Sequence, residues 1–231
     1  MRHGPQSGAL LTMAALVAAF FIWPRSAQAA QPADDLPGDW PMPPAPDFGL
    51  DNEGFVMPDP DANLRAFLYM IRAAEHNPTQ AANGVAYGMF YSGIPCFNFA
   101  DHPVITGERV GVRLPDAMCK AAGFSAGCVS TAAGAYQIIK PTWQRVRKAG
   151  AWGSRLGDFS PASQDEAARR LLFEVGAMPL IESGDIEGAI KRAAPVWASL
   201  PGNYARQRQF PMDAALALFD DGLKLGVTHA G

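Results

Sequence analysis

Hydrophobic residues recur at helical spacing at both ends of the domain and lose that spacing in the middle. Leu64, Phe67, Leu68 and Ile71 stand three and four residues apart, which predicts an amphipathic helix. Asp59-Pro60 offers an N-cap followed by proline at the first helical position, and the helix is expected to run to about His76. Glu75 lies four residues beyond Ile71, on the same apolar stripe. A carboxylate there is either a salt-bridged core residue or an acid held partly out of water. The second case favours the neutral form and lets the group deliver a proton near neutral pH. No Asp or Glu follows until Asp101.

Residues 77–139 lack a long helical period and are rich in Gly, Pro, Tyr, Phe and Asn; Val85–Tyr91 and Gly134–Ile139 predict short strands. Helical patterns then return. One starts at Pro141-Thr142-Trp143. Another starts at Ser160-Pro161 and buries Ala167, Ala168, Leu171, Leu172 and Val175. Asp185 caps a short helix through Ile190, and Pro211 opens a last one that Gly226 stops. Segregated elements of this kind predict an α+β fold: a mainly helical lobe, a small β-hairpin lobe and a cleft between them. Glu75 falls at the junction.

The first part of the chain has a different character. Arg2, the apolar run Ala9–Trp23 and the small-residue site Ala27-Gln28-Ala29 read as a secretory signal peptide over 1–29, with an uncleaved anchor as the alternative. The run is shorter than the roughly 20 residues a spanning helix needs, so no stable membrane span is expected after cleavage. The expected location is the periplasm or the medium. Residues 30–58 read as a Pro- and Asp-rich tether: the window 30–62 holds eight prolines and eight acidic residues and no Lys or Arg. It serves either as a spacer or, through Trp40-Pro41-Met42-Pro43-Pro44, as a docking strip for envelope machinery. The catalytic domain is expected over 59–226, with a tail at 227–231.

The chain has 19 basic and 22 acidic residues; from residue 63 onward 17 basic face 14 acidic ones. That small excess suits an anionic polymer surface, but no basic run interleaved with aromatics points to nucleic acid. Of the three cysteines, Cys119 and Cys128 bracket a small-residue loop and form the preferred disulfide pair; Cys96 with either is the alternative.

Two chemistries are set aside by context. Gly123-Phe124-Ser125-Ala126-Gly127 matches a nucleophile elbow, yet no hydrophobic strand precedes it and the only later histidine is His229. His76 and His102 lack the spacing or acidic company of a metal site, so neither a metal nor a cofactor is expected. Glycosidic cleavage fits better. It ordinarily uses two carboxylates, and a hydrolysing phage-type pair would place an aspartate roughly nine residues after Glu75, where Gly84 stands. A mechanism with one carboxyl, in which the sugar's own 6-hydroxyl attacks the anomeric carbon, accounts for the gap.

Several stretches in order resemble one family. They are Ala66-Phe67-Leu68 leading to Glu75, Asp101-His102-Pro103 and Gly134-Ala135-Tyr136-Gln137-Ile138. Asp158-Phe159-Ser160-Pro161 follows with Ser163-Gln164-Asp165, and then Gly184-Asp185-Ile186 and Trp197-Ala198-Ser199-Leu200-Pro201-Gly202 with Tyr204. Together they resemble lytic transglycosylases of the bacteriophage lambda lysozyme (endolysin) type, in the lysozyme-like superfamily, over about residues 63–225. The resemblance implies a lysozyme-like fold, glycan strands of peptidoglycan as the substrate and Glu75 as the catalytic acid/base. It implies that Tyr136 and Gln137 line the glycan groove and that Tyr204 stands near the cleft, though all three also have ordinary packing roles open to them. Asp101 is either a second, substrate-side carboxylate or a turn-former before His-Pro. A hydrolysing muramidase of the same fold and a non-catalytic glycan-binding or scaffold protein are the alternatives. The segment from Glu75 to Gly134 is longer here than in the phage enzyme, and the cysteine loop occupies the added length.

Overall fold

The computed structural model describes residues 60–121, 123–202 and 210–228. The expected signal peptide and tether, Asp59, Tyr204 and His229 lie outside the described residues. Helix α1, Pro60–Glu75, is the helix the 64–71 spacing predicts, and Ala66, Phe67, Met70 and Ile71 are sealed from solvent on its inner face. It packs along α9, Met212–Thr228, whose Gly222 lies so close that a Cβ would sit 2.8 Å from the Ala66 Cα. Helix α9 continues past Gly226, where the sequence predicted a stop: glycine interrupts a helix only weakly when the surrounding turns are packed.

Between the helices lies the loop-rich region. Short helices α2 (Pro78–Ala82), α3 (Pro103–Thr106) and α4 (Asp116–Ala121) interrupt it, each opened by a residue that suits a first turn. Asn77 caps α2 by accepting from the Gln80 amide at 2.9 Å. Two antiparallel pairs form the β part: β1 (Met89–Phe90) with β2 (Ile94–Pro95), and β3 (Val112–Arg113) with β4 (Val129–Ser130). The architecture is α+β, as expected.

The predicted strands are corrected in extent. Val85–Gly88 is a 3-10 turn, leaving only Met89 and Phe90 extended. Gly134–Gln137 is a tight turn closed by the bridge between Ala133 and Ile138, with Gly134 at φ +76° and Gln137 at φ +46°. Two left-handed residues within four positions cannot remain in a strand. The remaining helices are α5 (Lys140–Val146), α6 (Pro161–Glu174), α7 (Met178–Ser183) and α8 (Ile186–Ala193). Ser160 and Asp185 cap α6 and α8 as the sequence indicates, accepting from Ser163 N and Gly188 N. Cys119 and Cys128 are disulfide-bonded, tying α4 to the foot of β4. Cys96 is a buried free thiol.

The turn at 134–137 is packed against α6. Gln164 is fully buried; its carboxamide oxygen accepts from Ala135 N at 2.8 Å, while its NH2 donates to Tyr87 O and Phe159 O. A Cβ at Gly134 would collide with that carboxamide, approaching Cδ to 2.7 Å. Gly134→Ala therefore combines a left-handed backbone strain with a collision against a buried, fully bonded side chain. A loss of about 2–3 kcal/mol in urea unfolding is expected, against a few tenths for Gly157→Ala, whose Cβ would meet open space.

Candidate active site

Glu75 is the last residue of α1, and its side chain is buried although it carries a carboxyl group. Its Oε1 accepts a 2.6 Å hydrogen bond from the Ser199 hydroxyl, and Ser199 is itself sealed from solvent. Burial pushes the Glu75 carboxyl from its ordinary 4.5 up to about 7, with the Ser199 hydrogen bond pulling the other way. This is the partly dehydrated acid that the apolar stripe suggested, and its neighbour is a hydroxyl in place of a cation.

The turn at 134–137 touches both sides of this pair. On one side His76, next to Glu75, sets Nε2 3.0 Å from Gly134 O. Burial holds the His76 imidazole below its usual range, so it stands as a neutral donor to that carbonyl. On the other side the Trp197 indole, two residues before Ser199, donates to Tyr136 O at 3.1 Å. The Phe210 amide then donates to Ser199 O at 2.9 Å, fixing the backbone that carries the hydroxyl.

Tyr136 and Gln137, expected along the glycan groove, are both buried and hydrogen-bonded within the turn. Tyr136 is 1% exposed; its phenol accepts from Arg72 Nη1 at 2.8 Å and donates to Asp165 Oδ1. Tyr87 donates to the same Asp165 oxygen at 2.7 Å. Arg72, one turn before Glu75, has its guanidinium 5.5 Å and 5.8 Å from the Tyr87 and Tyr136 ring centres, within cation–π range. Gln137 is buried too, and its NH2 donates back to Gly134 O at 3.0 Å. The physical reason is the turn itself: its left-handed residues fold both side chains inward, where they satisfy polar groups that would otherwise be buried alone.

Asp101 is engaged as a structural carboxylate. It accepts from its neighbour His102 N at 2.7 Å, from Trp143 Nε1 at 2.7 Å and from Arg147 Nη1 at 2.5 Å. These three hydrogen bonds outweigh its burial and hold its carboxyl below the ordinary carboxylate range. His102 is fully buried, its imidazole lowered to about 4 by burial, with Nε2 3.0 Å from Ile138 O. Asp101-His102 is thus a joint between α3, α5 and the turn, as a turn-former before His-Pro would be.

Glu75 and the Tyr136-Gln137 turn are brought together; Asp101 is tied to Trp143 and Arg147. Sequence reasoning missed Ser199, Arg72, Tyr87 and Asp165 as neighbours of the site. Ser199 lies 124 positions from Glu75, and a serine in a loop carries no signal of such a partner.

The family model described as Endolysin matches residues 65–223. The endolysin of Escherichia phage lambda is 34% identical over 161 residues, covering 68% of this chain and 89% of the phage protein. The endolysin of Escherichia phage P2 is 33% identical over 166 residues, covering 68% and 90%. Among solved structures, bacteriophage lambda lysozyme complexed with a chitohexasaccharide superposes with a TM-score of 0.55 at 33% identity, covering 70% of this chain and 94% of that one. The chain therefore belongs to the endolysin family and has the lysozyme-like fold. Within it, this is a peptidoglycan-cleaving enzyme of the lambda lysozyme type.

The raised Glu75 carboxyl has a consequence for stability. Between about 4.5 and about 7 the folded state holds a proton that the unfolded state has released, so stability falls as pH rises through that window. Glu75→Gln keeps the carbonyl oxygen that Ser199 needs and removes the ionisation. At pH 8 the variant is expected to be more stable than the wild type, by on the order of 3 kcal/mol, with the gap closing below pH 4.5. Urea midpoints across pH test this; equal pH dependence in both proteins would contradict it.

Proposed function

We propose that the enzyme is a lytic transglycosylase that cleaves the β-1,4 bond between N-acetylmuramic acid and N-acetylglucosamine, with Glu75 as its only acid/base. The observation that carries the reading is the carboxyl at the end of α1, buried, raised to about 7 and bonded by a neutral hydroxyl. Burial keeps it protonated close to neutral pH, which suits it to donate to the glycosidic oxygen. The bond from the anomeric carbon to that oxygen breaks as the proton arrives. Glu75, now a carboxylate, takes the proton from the muramic acid 6-hydroxyl, whose oxygen closes on the anomeric carbon. The products are a free 4-hydroxyl and a 1,6-anhydro end; Glu75 is protonated again and no water is consumed.

Hydrolysis would call for a second carboxylate to aim water or to hold the glycosyl cation. The acids already considered are engaged elsewhere: Asp101 by Trp143 and Arg147, Asp165 by Tyr87 and Tyr136. A glycan substrate agrees with the chitohexasaccharide complex of lambda lysozyme. The signal-like segment 1–29 supports action outside the cytoplasm, and the tether at 30–58 suits recruitment to envelope machinery. Among the described residues no helix is long and apolar enough to cross a membrane.

Mass analysis of digested sacculi separates the two chemistries. Anhydro ends, one water lighter than reducing ends, are expected throughout; reducing ends would make the enzyme a muramidase. Clearing should decline as pH rises through about 7, where Glu75 loses its proton. Glu75→Gln should slow clearing by at least about a hundredfold, as loss of a general acid does. Undiminished clearing by that variant would overturn the reading of Glu75 as the acid/base; a variant that no longer clears yet keeps both sacculus binding and biological role would instead support a glycan-binding role.

A further inference from the structure

We propose that Ser199 is a positioning residue for this reaction: its hydroxyl occupies Oε1 of Glu75 and so assigns the transferable proton to Oε2. The inference rests on the reading of Glu75 as the acid/base and adds to it which oxygen acts. The hydrogen bond is 2.6 Å long, and both side chains are buried, so water does not compete for it freely. A hydroxyl donor is satisfied best by the carbonyl-type oxygen of a carboxylic acid, which leaves the O–H on the other oxygen. After the proton has left, the same hydroxyl bonds a carboxylate, and that charge-assisted contact is the stronger of the two. Ser199 is therefore placed to ease the ionised half of the cycle without surrendering a charge of its own.

The surroundings are built to keep this contact in register. Glu75 leaves α1 directly before His76, whose ring reaches Gly134 O at 3.0 Å. Ser199 follows Trp197, whose indole reaches Tyr136 O at 3.1 Å. One turn, 134–137, thus holds the two backbones that bring acid and hydroxyl together, and Gln164 clamps it from α6. Removing the hydroxyl leaves these clamps in place, so its effect can be separated from that of the scaffold.

The test uses the full chain carrying Ser199→Ala or Ser199→Thr, soluble glycan strands as substrate, and 13C NMR titration of the Glu75 carboxyl. In Ser199→Ala the titration and the alkaline limb of kcat are expected to move upward together by about one pH unit, because the donor that favours the carboxylate is lost. At neutral pH kcat should fall about tenfold with KM within about twofold, and Ser199→Thr should restore most of both by retaining a hydroxyl. A wild-type limb and kcat in Ser199→Ala would overturn the proposal. Should that variant not fold, Ser199→Cys replaces it: a thiol donates weakly, so a smaller shift in the same direction is expected, and no shift overturns the proposal. Product masses from the same digests keep the two readings apart. Reducing ends from the wild type would overturn the transglycosylase reading while leaving the Ser199 comparison valid.

Discussion

The constraint on which the rest of the structure depends is the dehydration of one carboxyl group at the end of a buried helix. An isolated carboxylate in such a place would cost several kcal/mol if left ionised, so the group is tuned by how much water it loses and what replaces that water. Among the described residues the replacement is the neutral hydroxyl of Ser199. A lysine or arginine at the same distance would have held Glu75 ionised and ruled out the proton-donor role proposed for it. Arg72 comes within one turn of it on the same helix, but its guanidinium is directed to Tyr136, Tyr87 and Asp165. The cation nearest in sequence is thus bound by partners of its own.

That arrangement gives the turn at 134–137 a significance its length does not suggest. Its carbonyls receive His76 and Trp197, its Ala135 amide donates to Gln164, and its tyrosine hydroxyl joins Arg72 to Asp165. Groups from α1, α6 and the segment after α8 meet on four residues. Gly134 must be left-handed and must lack a Cβ for Gln164 to lie where it does, so the backbone requirement and the polar network are one constraint. The Gly-Ala-Tyr-Gln-Ile stretch is thereby also a scaffold that braces the backbones on either side of Glu75 and Ser199.

Much of this was legible in the sequence, and the boundary has a physical cause. The α1 stripe, the caps at Ser160 and Asp185, the Cys119–Cys128 pair and the oddity of Glu75 are local or periodic features, and each was found. The short strands were overextended because left-handed turns at Gly134 and Gln137 leave no periodic trace. Ser199 was read as one letter of a family stretch, since a contact across 124 positions is created only by tertiary packing. Asp101 offered two readings because a turn-forming aspartate and an active-site aspartate look alike until Arg147 and Trp143 are seen to claim its oxygens.

The same dehydration sets a limit on the fold. Every pH unit by which burial raises Glu75 above its unfolded value is stability surrendered once the surrounding pH exceeds both. The scaffold must supply that difference without adding charge near the acid. It does so with close packing of α1 on α9, with the Cys119–Cys128 link between α4 and the start of β4, and with neutral and paired polar groups hydrogen-bonded to one another. An ion pair at Glu75 would have held the carboxyl ionised and ruled out the proton-donor role proposed for it. Under the proposed role, a buried acid bonded by the Ser199 hydroxyl is accordingly better understood as a functional choice against stability than as a stabilising contact.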